Sequence, residues 1–175
     1  MNRMKRIHTR DILTALLLIP TMFALGACQT AWQARQKADA DEFAVKYFGD
    51  LKNNPNIMVL PSGVMYEILR PGAGPFPTAN DTAKVNYIGR LADGAIFDSS
   101  YDRDEPADFP LNKLVPGMTE ALQKINKGGK IRIHIPYEQG YGGDEQGDGK
   151  IPAYSILVFE VELLDFRPTP MSSFY

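Results

Sequence analysis

The chain has 175 residues, room for one domain and some flanking segments. Apolar residues make up 44% and charged residues 23%, the balance of an ordinary globular protein. A formal net charge of -2 gives no electrostatic basis for binding nucleic acid. Two histidines and a single cysteine, Cys28, exclude a disulfide framework and a Cys/His zinc cage.

Residues 1–27 read as a signal peptide. Arg3, Lys5, Arg6 and Arg10 make a basic start, residues 12–25 are almost wholly apolar, and the small pair Gly26-Ala27 precedes Cys28. The apolar run is shorter than the ~20 residues a spanning helix needs. Leu25-Gly26-Ala27-Cys28 resembles a bacterial lipobox. That resemblance implies cleavage before Cys28, acylation of its thiol and a lipid-anchored protein of the bacterial cell envelope. Gln29 follows the cysteine rather than aspartate, which favours the outer membrane. Cleavage would remove four basic groups and Asp11, leaving a more acidic body. Such a body gains nothing from anionic lipid, so attachment would rest on the acyl chains.

Residues 28–56 form the expected N-terminal helix and linker, with the helix over 31–51. Trp32, Phe43, Val45, Tyr47 and Phe48 give it irregular apolar periodicity, and Asn53-Asn54-Pro55-Asn56 stops it. At 1.5 Å per residue it is about 30 Å long, a short spacer that either stands free or packs on the domain through Phe43 and Phe48. A monomer is expected.

From residue 57 the pattern is β-rich. Residues 57–60 are a short apolar run closed by the turn Pro61-Ser62-Gly63, and residues 64–69 form a second strand. A Pro/Gly-rich loop follows over 71–77. Residues 84–91 alternate, with Val85, Tyr87, Gly89 and Leu91 on one face. Asp93-Gly94 signals a hairpin, and Ile96-Phe97-Asp98 begins the return strand. Met118, Ala121, Leu122 and Ile125 make one helical stripe ended by Gly128-Gly129, with Lys124 and Lys127 near its negative end. Residues 130–135 alternate strictly, with Ile131, Ile133 and Ile135 inward and His134 outward, toward solvent. A long glycine-rich loop spans 137–152. Residues 155–166 are the longest strand, with Leu157, Phe159, Val161 and Leu163 on one face. The class is α+β: a twisted antiparallel sheet wrapped around one short helix, preceded by the N-terminal helix.

Several blocks resemble those of FKBP-type peptidyl-prolyl cis-trans isomerases. They are the run from Val85 to Leu91 with Asp93-Gly94 and Phe97-Asp98-Ser99-Ser100, then Phe109-Pro110-Leu111, and Val115-Pro116-Gly117-Met118-Thr119-Glu120-Ala121-Leu122. Ile135-Pro136 through Tyr141-Gly142, and Ile151-Pro152 through Leu164, complete the set. Five ordered blocks at compatible spacing are far more specific than any one of them. The lead-in Leu60-Pro61-Ser62-Gly63 is similar to that of the macrophage-infectivity-potentiator group. The resemblance bounds an isomerase domain at 57–166 and leaves 167–175 as a C-terminal tail.

The resemblance implies an isomerase acting on X–Pro bonds of envelope proteins and assisting their folding, with proline-containing polypeptides as substrates and macrolide FKBP inhibitors as expected ligands. It implies no metal or other cofactor. Tyr87, Asp98 and Tyr141 are the implied catalytic residues. Phe97, Phe109, Leu114, Val115, Met118, Ile151 and Phe159 are the implied substrate-binding residues. In the family, the tyrosine matching Tyr141 donates to a substrate carbonyl and the isoleucine matching Ile151 offers its backbone N–H. The aspartate matching Asp98 polarises the site, bonded by the tyrosine matching Tyr87. Taken singly, each aromatic member reads better as core, and it is the joint pattern that reverses this. One departure is Met118, where the family commonly has tryptophan at the pocket floor. It keeps open a proline-binding chaperone or surface module with weak catalysis. Another is Tyr154, expected at the pocket rim.

Overall fold

A computed structural model of the chain describes residues 19–169, with side chains from residue 29. The first eighteen residues of the expected signal peptide, the Cys28 side chain and residues 170–175 of the tail lie outside the described residues.

Helix α1 spans Ile19–Leu51, beginning well before the expected residue 31. Leu, Ala, Met and Phe after Pro20 are compatible with helix, and proline is tolerated in a first turn, where its missing N–H has no intrahelical partner anyway. The helix ends where predicted. Asn54 N–H bonds back to the Leu51 carbonyl at 3.0 Å, and Pro55 cannot continue the ladder. Contact density divides the chain between Asp39 and Ala40, inside α1. Residues 29–39 are almost entirely exposed. The second unit holds the last turns of α1 and everything after them.

Seven strands follow: β1 (Met58–Val59), β2 (Met65–Arg70), β3 (Asp81–Leu91), β4 (Ile96–Ser99), β5 (Ala107–Pro110), β6 (Lys130–Ile135) and β7 (Leu157–Pro168). They form one antiparallel sheet in the order β1-β2-β6-β7-β3-β4, with β5 also pairing β3. β3 and β7 make the longest ladder, from Asp81 opposite Pro168 to Leu91 opposite Leu157. β4 and β5 share the far edge of β3, one at each end.

Helix α2 (Pro116–Leu122) covers the inward face. Leu157, Phe159, Val161 and Leu163 of β7, Ile131, Ile133 and Ile135 of β6, and Met118, Ala121 and Leu122 of α2 are all buried. Gly117 allows this approach, because a Cβ there would lie 2.6 Å from Ile135 Cγ2 and 3.0 Å from Val64 Cγ2. α2 stops at Leu122, earlier than Gly128-Gly129 suggested. Ile125 is still buried, but from the irregular segment that follows the turn at 123–124. The glycines instead stitch that segment to β7: Gly128 N–H donates to the Leu163 carbonyl at 2.7 Å, and Leu163 N–H donates to Gly129 at 3.0 Å.

The opposite face carries cross-strand charge. Arg132 on β6 bridges Glu67 on β2 at 2.5 Å and Glu160 on β7 at 2.7 Å, each directly opposite it in register. His134 lies on the same face, yet it is 6% exposed, contrary to the expectation of a solvent position. The end of α1 covers it: Tyr47 Oη sits 2.7 Å from His134 Nδ1, with the rings 5.8 Å apart. A second tether is the Tyr137 hydroxyl, which donates to Asp41 Oδ1 at 2.6 Å. Neither Phe43 nor Val45 is buried. The half-buried positions of α1 in this unit are Ala40, Asp41, Ala44, Tyr47, Phe48 and Leu51, a regular helical stripe.

Candidate active site

Two residues on neighbouring strands set the frame. Gly89 of β3 stands opposite Phe159 of β7 and Asp98 of β4. A Cβ at Gly89 would lie 2.6 Å from Phe97 Cε2 and 3.0 Å from Phe159 Cε1. The glycine therefore makes room for two aromatic walls, whose rings meet edge to face at 5.5 Å and 84°. Met118 of α2, 4% exposed, closes the cavity beneath them. Leu114 and Val115, leading into α2, line one side with Lys113. Phe109 of β5 packs against Tyr87 at 5.3 Å between centroids. The enclosed volume is about 250 Å³.

One wall is polar and internally paired. The Tyr87 hydroxyl donates to Asp98 Oδ2. Arg103 donates to Asp98 Oδ1 at 2.5 Å and to Tyr87 Oη at 2.9 Å, its guanidinium 5.7 Å from the Tyr87 ring centre. Ser99 N–H completes the set on Asp98 Oδ1 at 2.9 Å. Buried Ser100 holds the two strands together, accepting the Tyr87 N–H on its hydroxyl at 2.9 Å and donating its own N–H to the Tyr87 carbonyl at 3.0 Å. Partial burial pushes the Asp98 carboxyl up, but the hydrogen bonds from Tyr87, Arg103 and Ser99 outweigh it and hold the group below the usual carboxylate range. Burial, then the bond to Asp98, raises the Tyr87 phenol. Asp98 is thus a fixed, charge-compensated anion.

Tyr141 completes the mouth, 37% exposed, its hydroxyl without a partner among the described residues. Gly142, at φ +63°, positions it by donating its N–H to the Tyr137 carbonyl at 2.9 Å.

The structure gathers nine of the ten sequence-predicted site residues around this cavity. The tenth, Ile151, is buried outside the lining, and its N–H is donated to the Gln146 carbonyl at 3.1 Å. Tyr154 is not at the rim either. It lines a separate cleft with Phe43, Leu91 and Pro152, packed edge to face on Tyr137 at 5.4 Å. Its φ of +60° and its N–H bond to the Gly142 carbonyl at 2.8 Å turn it that way. Sequence reasoning missed Arg103 and Lys113. Arg103 is one of several alternating charges after Phe97-Asp98-Ser99-Ser100, and only the 3₁₀ turn Tyr101–Arg103 folds it back onto Asp98. A larger cleft of about 700 Å³ lies between α1 and the β1–β2 turn, but no cluster of interlinked polar groups like the Tyr87, Asp98 and Arg103 set lines it. Among the described residues no group of three or more His, Cys, Asp or Glu could hold a metal ion.

A family profile described as FKBP-type peptidyl-prolyl cis-trans isomerase matches residues 74–164, just over half of the chain. The chain belongs to this family. It is 42% identical over 141 residues to the FKBP-type peptidyl-prolyl cis-trans isomerase FkpA of Escherichia coli (strain K12), covering 79% of this chain and 52% of the relative. It is also 42% identical over 117 residues to the peptidyl-prolyl cis-trans isomerase Mip of Coxiella burnetii, covering 66% of this chain and 50% of that one. The chain thus spans about half the length of these curated relatives. The crystal structure of FkpA from Escherichia coli superposes with a TM-score of 0.78 at 35% identity, covering 95% of this chain and 76% of that one. The seven-stranded sheet wrapped on α2 is therefore an FKBP fold, and the aromatic cavity lies within the family's matched region.

Proposed function

We propose that this chain is a peptidyl-prolyl cis-trans isomerase that accelerates X–Pro rotation in proteins of a bacterial envelope and assists their folding. The supporting observation is the cavity itself: apolar, aromatic-walled, the size of a proline ring with its neighbours, and bordered by the hydrogen-bonded cluster of Tyr87, Asp98 and Arg103.

The barrier to peptide rotation is ~18–20 kcal/mol, set by amide resonance. Unaided X–Pro isomerisation takes tens to hundreds of seconds. As the bond twists, its double-bond character and its dipole fall. A site with few water contacts and apolar walls then favours the twisted amide over the planar one. Phe97, Phe159 and Met118 grip the ring, and the Tyr141 hydroxyl is placed to donate to a substrate carbonyl. Asp98 already accepts from three donors, so its role is a fixed electrostatic one rather than proton transfer. The Ile151 N–H reaches a substrate only by leaving the Gln146 carbonyl.

A protease-coupled assay on a Leu-Pro peptide, with and without a macrolide inhibitor, tests the reading. Tyr141→Phe loses one hydrogen bond, about 0.5–1.5 kcal/mol of transition-state stabilisation, or roughly two- to tenfold in kcat/KM. Asp98→Ala leaves the Tyr87 hydroxyl without its acceptor and Arg103 with only Tyr87 Oη, and loses more. Unchanged turnover in both variants refutes the placement of the site. A second reading, a proline-binding chaperone with weak catalysis, draws on Met118 in place of a flat indole. Protection of an unfolding client by a protein without peptide turnover would favour it.

The membrane association belongs to the same proposal. No helix among the described residues is long and apolar enough to cross a membrane. Leu25-Gly26-Ala27-Cys28 supports attachment by acylation of Cys28, with the outer membrane as the destination.

A further inference from the structure

Charge at the cavity is unevenly settled. Asp98 and Arg103 neutralise each other at 2.5 Å, so their fields largely cancel at a distance. Lys113 lines the same cavity and has no ion pair or hydrogen bond from its ammonium among the described residues. It is therefore the uncompensated charge at the site.

Lys113 is also presented from a firm base. It ends the 3₁₀ turn Leu111–Lys113, whose Leu111 is fully buried. The Thr119 hydroxyl of α2 donates to the Leu111 carbonyl at 2.5 Å, and Leu114 N–H donates to the same carbonyl at 3.3 Å. The turn is thereby pinned to the helix that carries the floor residue Met118. The stem is exposed and flexible, but its root is not.

We propose that Lys113 is a specificity-determining residue that favours prolyl substrates bearing a carboxylate side chain on the residue preceding proline, a selection that rests on the isomerase reading above. A proline ring seated on Met118 leaves the preceding Cα about 3.8 Å from its own in the trans form and about 2.9 Å in the cis form. That neighbour's side chain leaves the apolar floor and meets the rim. There an aspartate or glutamate meets an unopposed ammonium, and a lysine or arginine meets repulsion. Apolar walls around a single charge focus its field, so one lysine suffices to set the sign.

The test uses peptides identical except for Glu, Gln or Lys before proline. Catalysed exchange is measured by magnetisation transfer between cis and trans signals, which removes any bias of a coupling protease. At low salt the native protein is expected to prefer the Glu peptide to the Lys peptide about two- to fivefold in kcat/KM, the range of an exposed ion pair. Lys113→Gln is expected to lose most of that ratio, and Lys113→Glu to invert it. Because each ratio is taken within one protein, a general change in activity cancels. The native ratio should also shrink as salt is raised to about 0.5 M, a measurement that needs no variant. Equal Glu/Lys ratios in all three proteins, or a native ratio indifferent to salt, overturn the role of Lys113 while leaving the isomerase reading intact. Absence of catalysis on every peptide overturns both.

Discussion

Gly89 shows how a residue without a side chain shapes this site. Its backbone is not in the left-handed region, so Gly89→Ala meets no conformational strain. The new methyl meets the far edge of the Phe97 ring at 2.6 Å and of the Phe159 ring at 3.0 Å, side-chain atoms that must give way rather than backbone. The expected result is a fold nearly as stable as before with a displaced pocket wall. Thermal unfolding should shift by only a few degrees, while kcat/KM falls several-fold; a large loss of stability with activity retained would contradict this. Met118 is the complementary case, a flexible side chain where a rigid platform would grip better. Met118→Trp should tighten a macrolide by about 1 kcal/mol, or roughly fivefold, within the range of aromatic packing gains. Titration calorimetry checks it. Equal affinity would show that the floor does not touch the ligand.

At the scale of elements, α1 docks on β6 over a buried histidine. His134 is buried beside Arg132 and beneath Tyr47, and its Nε2 has no hydrogen-bond partner among the described residues. Burial, then the Arg132 charge, lowers its pKa to about 4. The unfolded chain takes up this proton near pH 6.5, and the folded one resists until about pH 4. The unfolded state therefore binds more protons in that interval, and stability falls as pH falls through it. The loss is at most about 3 kcal/mol and levels off below the folded pKa. Asp98 and Glu160, held below the usual carboxylate range by their partners, contribute losses only at lower pH. Urea unfolding at pH 7, 5.5 and 4.5 should show the decline, and His134→Gln should flatten it. An unchanged slope in that variant would mean another group is responsible.

For the whole molecule, the expectation is an acylated monomer. Mass spectrometry of the mature protein should find Cys28 at its start with the mass of a lipid, and a start downstream of Cys28 would end that reading. The protein beginning at residue 29 should sediment as a monomer at micromolar concentration. The stripe of α1 from Ala40 to Leu51 is already spent on its own domain, through Tyr47 to His134 and Asp41 to Tyr137. A stable dimer at that concentration would refute the monomer.

Alternation along residues 84–91, 130–135 and 157–163 was enough to assign the inward residues of β3, β6 and β7, and Asp93-Gly94 placed the hairpin. The reason is local: a strand's side chains alternate, so shared faces are written in the spacing. The joint blocks likewise named most of the residues around the cavity. Alternation does not say whether the other face is covered. His134 has an outward position in the pattern, and it is buried because Tyr47, 87 residues away in sequence, lies over it. The α1 stripe looked irregular because Asp41 docks by a hydrogen bond while Phe43 and Val45 remain exposed. Nothing in the spacing sets Arg103 and Lys113 apart from other charges; turns after β4 and β5 set one against Asp98 and leave the other unopposed at the cavity. The family resemblance places Ile151 in the pocket and Tyr154 at its rim, but Ile151 is buried with its N–H on the Gln146 carbonyl, and the positive φ of Tyr154 turns that ring toward Tyr137. Local spacing determined the faces, and tertiary structure alone decided which charges were paired and which surfaces were closed, because both depend on chain segments brought together only by folding.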